Sequence, residues 1–387
     1  MNNKSILQLL EKYREDSLKN RYVSNDDIMP LLDILKSHFE VAIIGHSVSK
    51  RPVFSVTLGN GPKKILMWSQ MHGNEVTTTK ALFDIFNFFK SNNVTAVKIL
   101  QSCTLTVIPI LNPDGAVLYT RLNGNNIDLN RDAQNLSQTE STILMSAFKT
   151  VQPDLCLNLH GQRSIFGLES GLPATISFLS PSSNSERTIT SSRKKAMKMI
   201  VRINNYLEGY LKGKIGRYDD TFNHHCFGDF FQLSGVPVIL FEAGHISNDY
   251  LREETRKYLF YSFVSLFGLT DSKINIESYK DYFKIPENKK NYYDFILRNV
   301  LIGNELEKTS LAIQFKESLV HNEIKFIPIL TEIGNLKNKF GHKEIDGNLA
   351  NVLVNSQNII EIGSVISVIS NKKDESLKYF DKNCFEF

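Results

Sequence analysis

The spacing of hydrophobic residues changes near residue 40. Before this point, apolar residues recur every three or four positions in SILQLLEKY and IMPLLDILKSHF, a spacing that predicts helices. The polar run SNDD at 24–27 is typical of a helix N-terminus. After residue 40, short runs rich in β-branched residues (VAIIGHSV, PVFSVTLG, KILMWSQ) are separated by Gly, Pro and Asn, and these runs predict strands.

Strands and helices then alternate up to about residue 270. The runs TLTVIPIL (104–111), LCLNLH (155–160) and PVILFE (237–242) predict buried strands, because they are apolar on both faces. The helices predicted between the strands are at 75–91, 137–150, 186–213 and 248–268. This alternation predicts an α/β fold, with a doubly wound, mixed and mostly parallel sheet flanked by helices.

The pattern changes again after a Lys-rich segment near residue 280. Residues 291–302 are predicted to be a helix, and the runs LAIQFKE, EIKFIPIL and SVISVIS are predicted to be strands. We therefore divide the chain into an N-terminal helical segment at 1–40, an α/β domain at 41–270 and a smaller α+β or β-rich appendage at 271–387.

The chain has 387 residues, of which 42% are hydrophobic and 22% are charged. These values are typical of a globular protein rather than a disordered one. The net charge of +4 gives no electrostatic reason to expect nucleic acid or an anionic membrane as a partner. No run approaches the roughly 18 apolar residues of a membrane helix, and the N-terminus lacks the apolar core of a secretory signal. We therefore expect a cytoplasmic protein whose four widely spaced cysteines are reduced.

Four residues suited to metal binding or acid–base chemistry stand at the ends of predicted strands. His72 and Glu75 follow KILMWSQM, His160 ends LCLNLH, and Glu242 ends PVILFE. In a doubly wound sheet the carboxyl ends of the parallel strands share one edge, where ligands bind. Two imidazoles and one carboxylate form a catalytic zinc set with an open fourth position. Glu242 then remains as a general base toward the water that the zinc activates.

The segment between the two histidines carries further polar residues. The segment Asn-Pro-Asp-Gly at 112–115 directly follows a predicted strand. Its Pro and Gly residues favour a turn. Arg121, Asn130 and Arg131 lie in the polar loop that follows. Two guanidinium groups and an amide near a zinc ion suit recognition of a carboxylate, because guanidinium offers a planar fork of donors.

Five motifs in this chain occur in the order seen in zinc carboxypeptidases. They are MHGNE (71–75), LNPDG (111–115), DLNRD (128–132), LNLHG (157–161) and FEAGH (241–245). The chain therefore resembles the zinc carboxypeptidase family of the metallocarboxypeptidase superfamily. The resemblance extends over the predicted α/β domain and identifies it as the catalytic domain.

The resemblance implies a role for each residue near the metal. His72, Glu75 and His160 would hold one zinc ion per chain. Asp128 would orient His72 through the second ring nitrogen, as imidazole ligands generally require. Glu242 would take a proton from the attacking water and pass it to the leaving amine.

The resemblance also implies how a substrate is held. Arg121 would stabilise the oxyanion that develops on the scissile carbonyl. Asn130 and Arg131 would bind the terminal carboxylate of the substrate. Tyr218 is the candidate for the tyrosine that covers the substrate in this family. The candidates for setting side-chain preference are Asp219, Asp220, Phe227 and Asp229, and the sequence does not choose among them.

The implied function is a zinc-dependent metallocarboxypeptidase that hydrolyses a C-terminal peptide bond, with a peptide as partner. The alternative is a zinc-dependent deacylase of the aspartoacylase or succinylglutamate desuccinylase type, acting on an N-acyl amino acid, or a murein-peptide amidase. Such deacylases share a His-x-x-Glu, an Asn-Arg pair and a β-rich appendage. The complete NPDG and DLNRD motifs favour the peptidase. A binding module without activity is disfavoured by the presence of Glu242 and Arg121. The sequence predicts no oligomeric state.

Overall fold

The computed structural model describes residues 10–91, 93–268, 278–303, 307–358 and 360–384. The helix α1 (Asn25–Leu35) is the first long element in this part of the chain. The Ser24 N–H donates to Asp27 Oδ2 at 2.7 Å, which closes the first turn as the polar run predicted. The bounds of the N-terminal segment 1–40 stay a prediction, and residues 1–9 lie outside the described part.

An eight-stranded sheet forms the centre of the α/β domain. In chain order, the first nine strands are β1 (Glu40–His46), β2 (Pro52–Leu58), β3 (Lys63–Trp68), β4 (Cys103–Ile108), β5 (Leu155–Gly161), β6 (Phe166–Gly167), β7 (Ile176–Leu179), β8 (Ile215–Arg217) and β9 (Val238–Ala243). All except β6 join this sheet, in the spatial order β1-β2-β4-β3-β5-β9-β7-β8. The central strands β4, β3, β5 and β9 are parallel, and β1, β2 and β7 pair antiparallel. The predicted mixed, mostly parallel sheet is confirmed.

Helices cover both faces of this sheet. They are α2 (Thr77–Phe89), α3 (Val94–Ser102), α4 (Pro113–Leu118), α5 (Thr139–Val151), α6 (Ser191–Leu211), α7 (Phe227–Leu233) and α8 (Glu253–Leu266). Strand β3 shows the two-sided burial clearly. Its Ile65 and Met67 face the core formed with α2, α6 and α8, whereas Leu66 and Trp68 face the core formed with α5 and α7. The continuous apolar runs of the sequence therefore reflect strands that are covered on both sides.

The C-terminal part forms a second, seven-stranded sheet. Its strands follow the short β10 (Lys289–Lys290) and are β11 (Tyr292–Ile302), β12 (Thr309–Val320), β13 (Glu323–Gly334), β14 (Phe340–Asp346), β15 (Asn351–Val354), β16 (Val368–Asn371) and β17 (Lys378–Asp381). The helix predicted at 291–302 is wrong, because this segment is β11. Phe295 and Leu297 face one apolar cluster and Ile296 faces another, so side chains alternate between the two faces of the strand.

The two parts of the chain contact each other beside the main sheet. Strand β10 pairs with β6, which lies just beyond the end of β5. Arg21, near the N-terminus, forms an ion pair with Glu317 of β12 at 2.9 Å. The boundary predicted at 270/271 falls in the undescribed segment 269–277 and stays a prediction.

Candidate active site

Three predicted metal ligands meet at the carboxyl ends of β3 and β5. His72 Nδ1 lies 2.8 Å from Glu75 Oε1, and His160 Nδ1 lies 2.9 Å from Glu75 Oε2. The Gly161 N–H also donates to Glu75 Oε2, at 3.0 Å. The glutamate carboxylate is therefore held between the two imidazoles, and all three side chains are largely buried.

The turn that carries His72 and Glu75 is fixed by its packing on the Asn-Pro-Asp-Gly turn. A Cβ atom on Gly73 would lie 1.9 Å from the Gly115 carbonyl carbon, so only glycine fits there. Asn112 Nδ2 donates to the Met71 carbonyl at 3.2 Å. Asp114 accepts hydrogen bonds from the turn that links β1 to β2. The motif at 112–115 therefore packs against the turn that carries His72 and Glu75 and holds it in place.

Asp128 lies on the other side of His72. Its Oδ1 accepts a hydrogen bond from His72 Nε2 at 3.0 Å, and its Oδ2 accepts one from Arg121 Nε at 3.0 Å. Arg121 Nη1 also lies 3.2 Å from His72 Nδ1. Asp128 thus fixes the ring orientation of His72 and the position of the Arg121 guanidinium.

The donor set suits a cation of the zinc class. His72 donates through Nε2 to Asp128, so its Nδ1 presents a lone pair toward Glu75 Oε1, which is also an acceptor. Two acceptors at this distance need a proton or a cation between them. His160 Nδ1 likewise lies 2.9 Å from Glu75 Oε2. The Nε2 atom, on the other side of this ring, is buried without a hydrogen-bond partner within the described residues. Two imidazoles and one carboxylate, open to the cleft, match a catalytic zinc site.

The electrostatics of the ligand carboxylate agree with this reading. Burial by itself would raise the pKa of Glu75, but His72 and His160 outweigh burial and hold that pKa well below its usual range. Asp128 has a lowered pKa because the His72 and Arg121 contacts outweigh burial. Both carboxylates are therefore ionised at neutral pH and available to a cation.

Glu242 lies at the end of β9, the strand that pairs with β5. Their register sets Glu242 beside His160. Its Oε2 is buried and has no hydrogen-bond partner within the described part of the chain. Burial, reinforced by the nearby Glu75 carboxylate, raises the pKa of Glu242 well above its usual value. A raised pKa makes this carboxylate a stronger base.

The residues predicted to bind a substrate carboxylate lie in the loop after Asp128. Asn130 Oδ1 accepts a hydrogen bond from the Phe227 N–H at 3.1 Å. The amide is thereby oriented with its NH₂ group as the remaining donor. Arg131 Nη1 donates to the Asn130 carbonyl at 2.6 Å and to Cys226 Sγ at 3.2 Å. Both side chains line the same cleft as His72 and Glu242.

The candidates for substrate covering and side-chain preference separate in the structure. Tyr218 lines the cleft and packs against Phe166, with ring centroids 5.3 Å apart. Asp229 also lines the cleft, and burial raises its pKa to about 7. Asp220 instead pairs with Arg193, and Phe227, the first residue of α7, is buried in the hydrophobic core. Of the four preference candidates, Asp219 and Asp229 face the cleft.

The cleft has a volume of about 940 Å³ and takes part of its wall from the appendage. Strand β12 contributes residues from Gln314 to Glu317, which the sequence interpretation did not include. Asn158 of β5 was also missed. Its amide is buried, lines the cleft and has no partner among the described residues. The polar residue inside the apolar run LCLNLH was the signal that could have identified it.

Comparison with known proteins agrees with the motifs. Residues 33–219 match the family model Peptidase_M14, described as zinc carboxypeptidase. Carboxypeptidase SOL1 of Arabidopsis thaliana is 28% identical over 37% of this chain and 34% of its own length. Gamma-D-glutamyl-L-diamino acid endopeptidase 1 of Lysinibacillus sphaericus is 29% identical over 26% of this chain and 29% of its own length. This chain thus spans about a third of the length of these curated relatives.

The fold gives the same result. A metallo-carboxypeptidase from Burkholderia cenocepacia superposes with a TM-score of 0.53 at 16% identity, covering 64% of this chain and 69% of the other. No helix in the described part of the chain has the length and hydrophobicity needed to span a bilayer. Residues 33–219 are therefore similar in sequence to zinc carboxypeptidases, and the α/β domain has the fold of a metallo-carboxypeptidase.

Proposed function

We propose that this protein is a zinc-dependent metallocarboxypeptidase that removes the C-terminal residue of a peptide. The observation that carries the proposal is the convergence of His72, Glu75 and His160 beside an unpartnered buried oxygen of Glu242. One catalytic zinc ion per chain would be held by the two Nδ1 atoms and the Glu75 carboxylate. When bound there, zinc supplies a Lewis acid that polarises a carbonyl and lowers the pKa of a water molecule.

The protein side chains divide the remaining work. Asn130 and Arg131 bind the terminal carboxylate and so set the scissile bond at a fixed distance from Glu242. Arg121 donates its Nη hydrogens to the carbonyl oxygen as negative charge develops there. Glu242 accepts a proton from the attacking water at its free Oε2 and returns it to the leaving amine. Tyr218, which also lines the cleft, covers the bound residue.

Asp229 supports a preference for a basic C-terminal residue. Asp229 lies on α7, and its buried carboxyl lines the cleft. The residue just before α7, Cys226, contacts Arg131. A buried carboxylate is costly unless it is paired. A lysine, arginine or diamino acid side chain would supply the missing charge.

A second candidate function follows from the same residue. The Lysinibacillus relative is named as an endopeptidase acting before a diamino acid. Hydrolysis of an amide bond to a diamino acid in a cell-wall peptide would use the same zinc site and the same Asp229. Both functions are compatible with a cytoplasmic location, which we also propose. Deacylation of N-acyl amino acids remains the third outcome of the test below.

The proposal is tested with zinc-loaded protein and pairs of peptides that have a free or an amidated C-terminus, followed by mass spectrometry. We expect the loss of single C-terminal residues from the free acids and at least a tenfold slower reaction with the amides. Cell-wall γ-D-glutamyl peptides and N-acetylated or N-succinylated amino acids serve as the parallel substrates. Equal cleavage of free and amidated peptides, or internal cleavage alone, contradicts the carboxypeptidase assignment.

A further inference from the structure

A second cluster of potential metal ligands lies outside the catalytic site. His245 follows β9, Asp294 lies on β11 and His342 lies on β14. Each residue offers one donor atom, and these atoms all lie within 4.8 Å of one another. The three side chains are buried, with exposed fractions of 2%, 0% and 9%. The cluster therefore bridges the α/β domain and the appendage in the protein interior.

Both imidazoles have a nitrogen without a partner. His342 Nε2 donates to the Ser164 carbonyl at 2.8 Å, so the lone pair of its ring is on Nδ1. This Nδ1 is buried and has no hydrogen-bond partner in the described residues, and the same holds for His245 Nε2. The two ring centroids are 4.3 Å apart. An imidazole anchored to a backbone carbonyl through one nitrogen, with the other nitrogen free, is the usual state of a metal ligand.

Asp294 is a buried carboxylate without a counterion. It accepts hydrogen bonds from the Tyr250 hydroxyl at 3.2 Å, the Phe315 N–H at 2.6 Å and the Gln314 side chain. No ion pair among the described residues includes it. Burial raises the pKa of Asp294 to about 6. Burial also lowers the pKa of His342 to about 4 and the pKa of His245 well below its usual value, so neither histidine supplies the missing positive charge.

A small cavity lies against two of the three residues. Its volume is about 10 Å³, and His245 and Asp294 line it. This is the space of one water molecule or one ion. Two guanidinium groups also line this cavity, and the Nε atom of each is buried without a hydrogen-bond partner among the described residues. The terminal nitrogens of both groups are engaged. Arg21 pairs with Glu317 at 2.9 Å, and Arg252 donates to two backbone carbonyls at 3.2 Å.

We propose that His245, Asp294 and His342 bind a second divalent cation of the zinc class. Two imidazoles and one carboxylate are the ligands preferred by such ions. Zinc ligands at about 2.0–2.2 Å in a tetrahedral site lie about 3.4 Å apart, so the donor atoms, which lie within 4.8 Å of one another, approach by up to about 1.4 Å on binding. This ion would join the appendage to the strand that carries Glu242, and it would revise the expectation of one metal per chain. A water molecule in the cavity is the competing occupant.

Metal content tests the proposal independently of activity. After zinc loading and gel filtration, we expect the full chain to retain two equivalents of zinc by mass spectrometry of the metal. We expect His342→Gln and Asp294→Asn to retain one equivalent, and so should His72→Gln at the catalytic site. His321→Gln, at an exposed histidine in the turn between β12 and β13, is the matched control and should retain two. One equivalent in the wild type, lost in His72→Gln, would overturn the proposal.

A crystallographic measurement needs no variant. Anomalous scattering at the metal edge from crystals of the zinc-loaded wild type should give two peaks per chain, one of them between His245 and His342. A single peak at the catalytic site, with a water molecule between these two rings, overturns the second site. The proposed function stands or falls on the catalytic peak and the peptide assay, so the two failures are distinguishable.

Discussion

Among single residues, Glu242 gives the sharpest test of the chemistry. Glu242→Gln keeps the size of the side chain but removes the base, so we expect kcat to fall by about 10²–10⁴-fold. Zinc content should not change, because Glu242 is not among the proposed ligands. Glu186→Gln, at an exposed position, is the control and should leave kcat unaltered. Full activity in Glu242→Gln would mean that another group takes the proton.

Asp128 gives a second test at a single residue, and its expected effect is on zinc affinity. Asp128→Asn replaces an anionic acceptor of the His72 N–H with an amide, which removes the charge that favours this ring orientation. Outer partners of this kind typically contribute 10–100-fold to metal affinity. We expect zinc to dissociate correspondingly more readily, as measured by competition with a chelator. Asp33→Asn, an exposed aspartate on α1, should bind zinc like the wild type.

Asp229 predicts a pH dependence of substrate preference. Because burial raises its pKa to about 7, the carboxyl is largely protonated below that pH and ionised above it. We expect the ratio of kcat/KM for lysine-ended over leucine-ended peptides to rise between pH 6 and pH 8. Asp229→Asn should give a low ratio that does not vary with pH. If the ratio in the wild type does not change with pH, Asp229 does not set the preference for the C-terminal side chain.

Single residues at strand ends were predicted from the sequence, whereas a functional candidate inside a strand was missed. His72, His160 and Glu242 stand where apolar runs stop, and parallel strands bring such ends to one edge. Asn158 lies within such a run, where a polar residue is also compatible with a satisfied core position. The choice of Asp229 over Asp220 depends on Arg193, which is distant in sequence and pairs with Asp220.

At the scale of elements, the two tight turns beneath the site work as one unit. Gly73→Ala would set a Cβ atom 1.9 Å from the backbone of Gly115. The turns must then separate, so we expect a loss of about 1–3 kcal/mol in the free energy of unfolding. Weaker zinc binding should accompany this loss, since His72 and Glu75 flank the turn. Chemical denaturation and zinc titration measure the two effects.

The control for this prediction is another glycine. Gly209→Ala lies in α6, where an added Cβ atom has no neighbour within 4 Å among the described residues. Alanine is favoured over glycine within a helix by about 0.5–1 kcal/mol. This variant should therefore unfold at the same or a slightly higher denaturant concentration, and its zinc binding should be normal. Equal destabilisation by both variants would contradict the close packing of the turns.

The sequence predicted the type of an element correctly where one face or both faces of it are buried. At β11 the predicted helix was wrong. The sequence NYYDFILRNVLI carries apolar residues at spacings that fit a helix as well as a strand. This segment forms a strand because its backbone pairs with β12 on one side and with β14 on the other. Those partners come later in the chain, so a local pattern could not reveal them. In contrast, β3, β5 and β9 were predicted because each carries a run of apolar residues bounded by polar ones.

On the scale of the whole molecule, the sequence predicted a division of the chain into three parts but not how these parts contact one another. The appendage contributes Glu317 to the cleft wall, and Glu317 forms its ion pair with Arg21, which lies before the first strand. The Tyr119 hydroxyl donates to the same carboxylate. Three distant segments of the chain therefore depend on one charge. No local pattern in the sequence signals such a contact.

This contact gives the last prediction. Glu317→Gln removes the charge that balances Arg21, whose side chain is only 9% exposed. Breaking a buried pair in this way typically costs about 3–5 kcal/mol, and the partial exposure of Glu317 lowers the expected loss to about 2–3 kcal/mol. Burial by itself would raise the pKa of Glu317, but Arg21 outweighs burial and lowers it below 4.5 in the folded protein. The stabilisation is therefore present above pH 4.5 and disappears as the pH falls below that value. The melting temperatures of Glu317→Gln and wild type should differ at pH 7, and the difference should shrink as the pH falls below 4.5. Glu323→Gln, at an exposed glutamate at the start of β13, should follow the wild type throughout. A difference that stays constant over this range would show that the loss comes from packing and not from the ion pair.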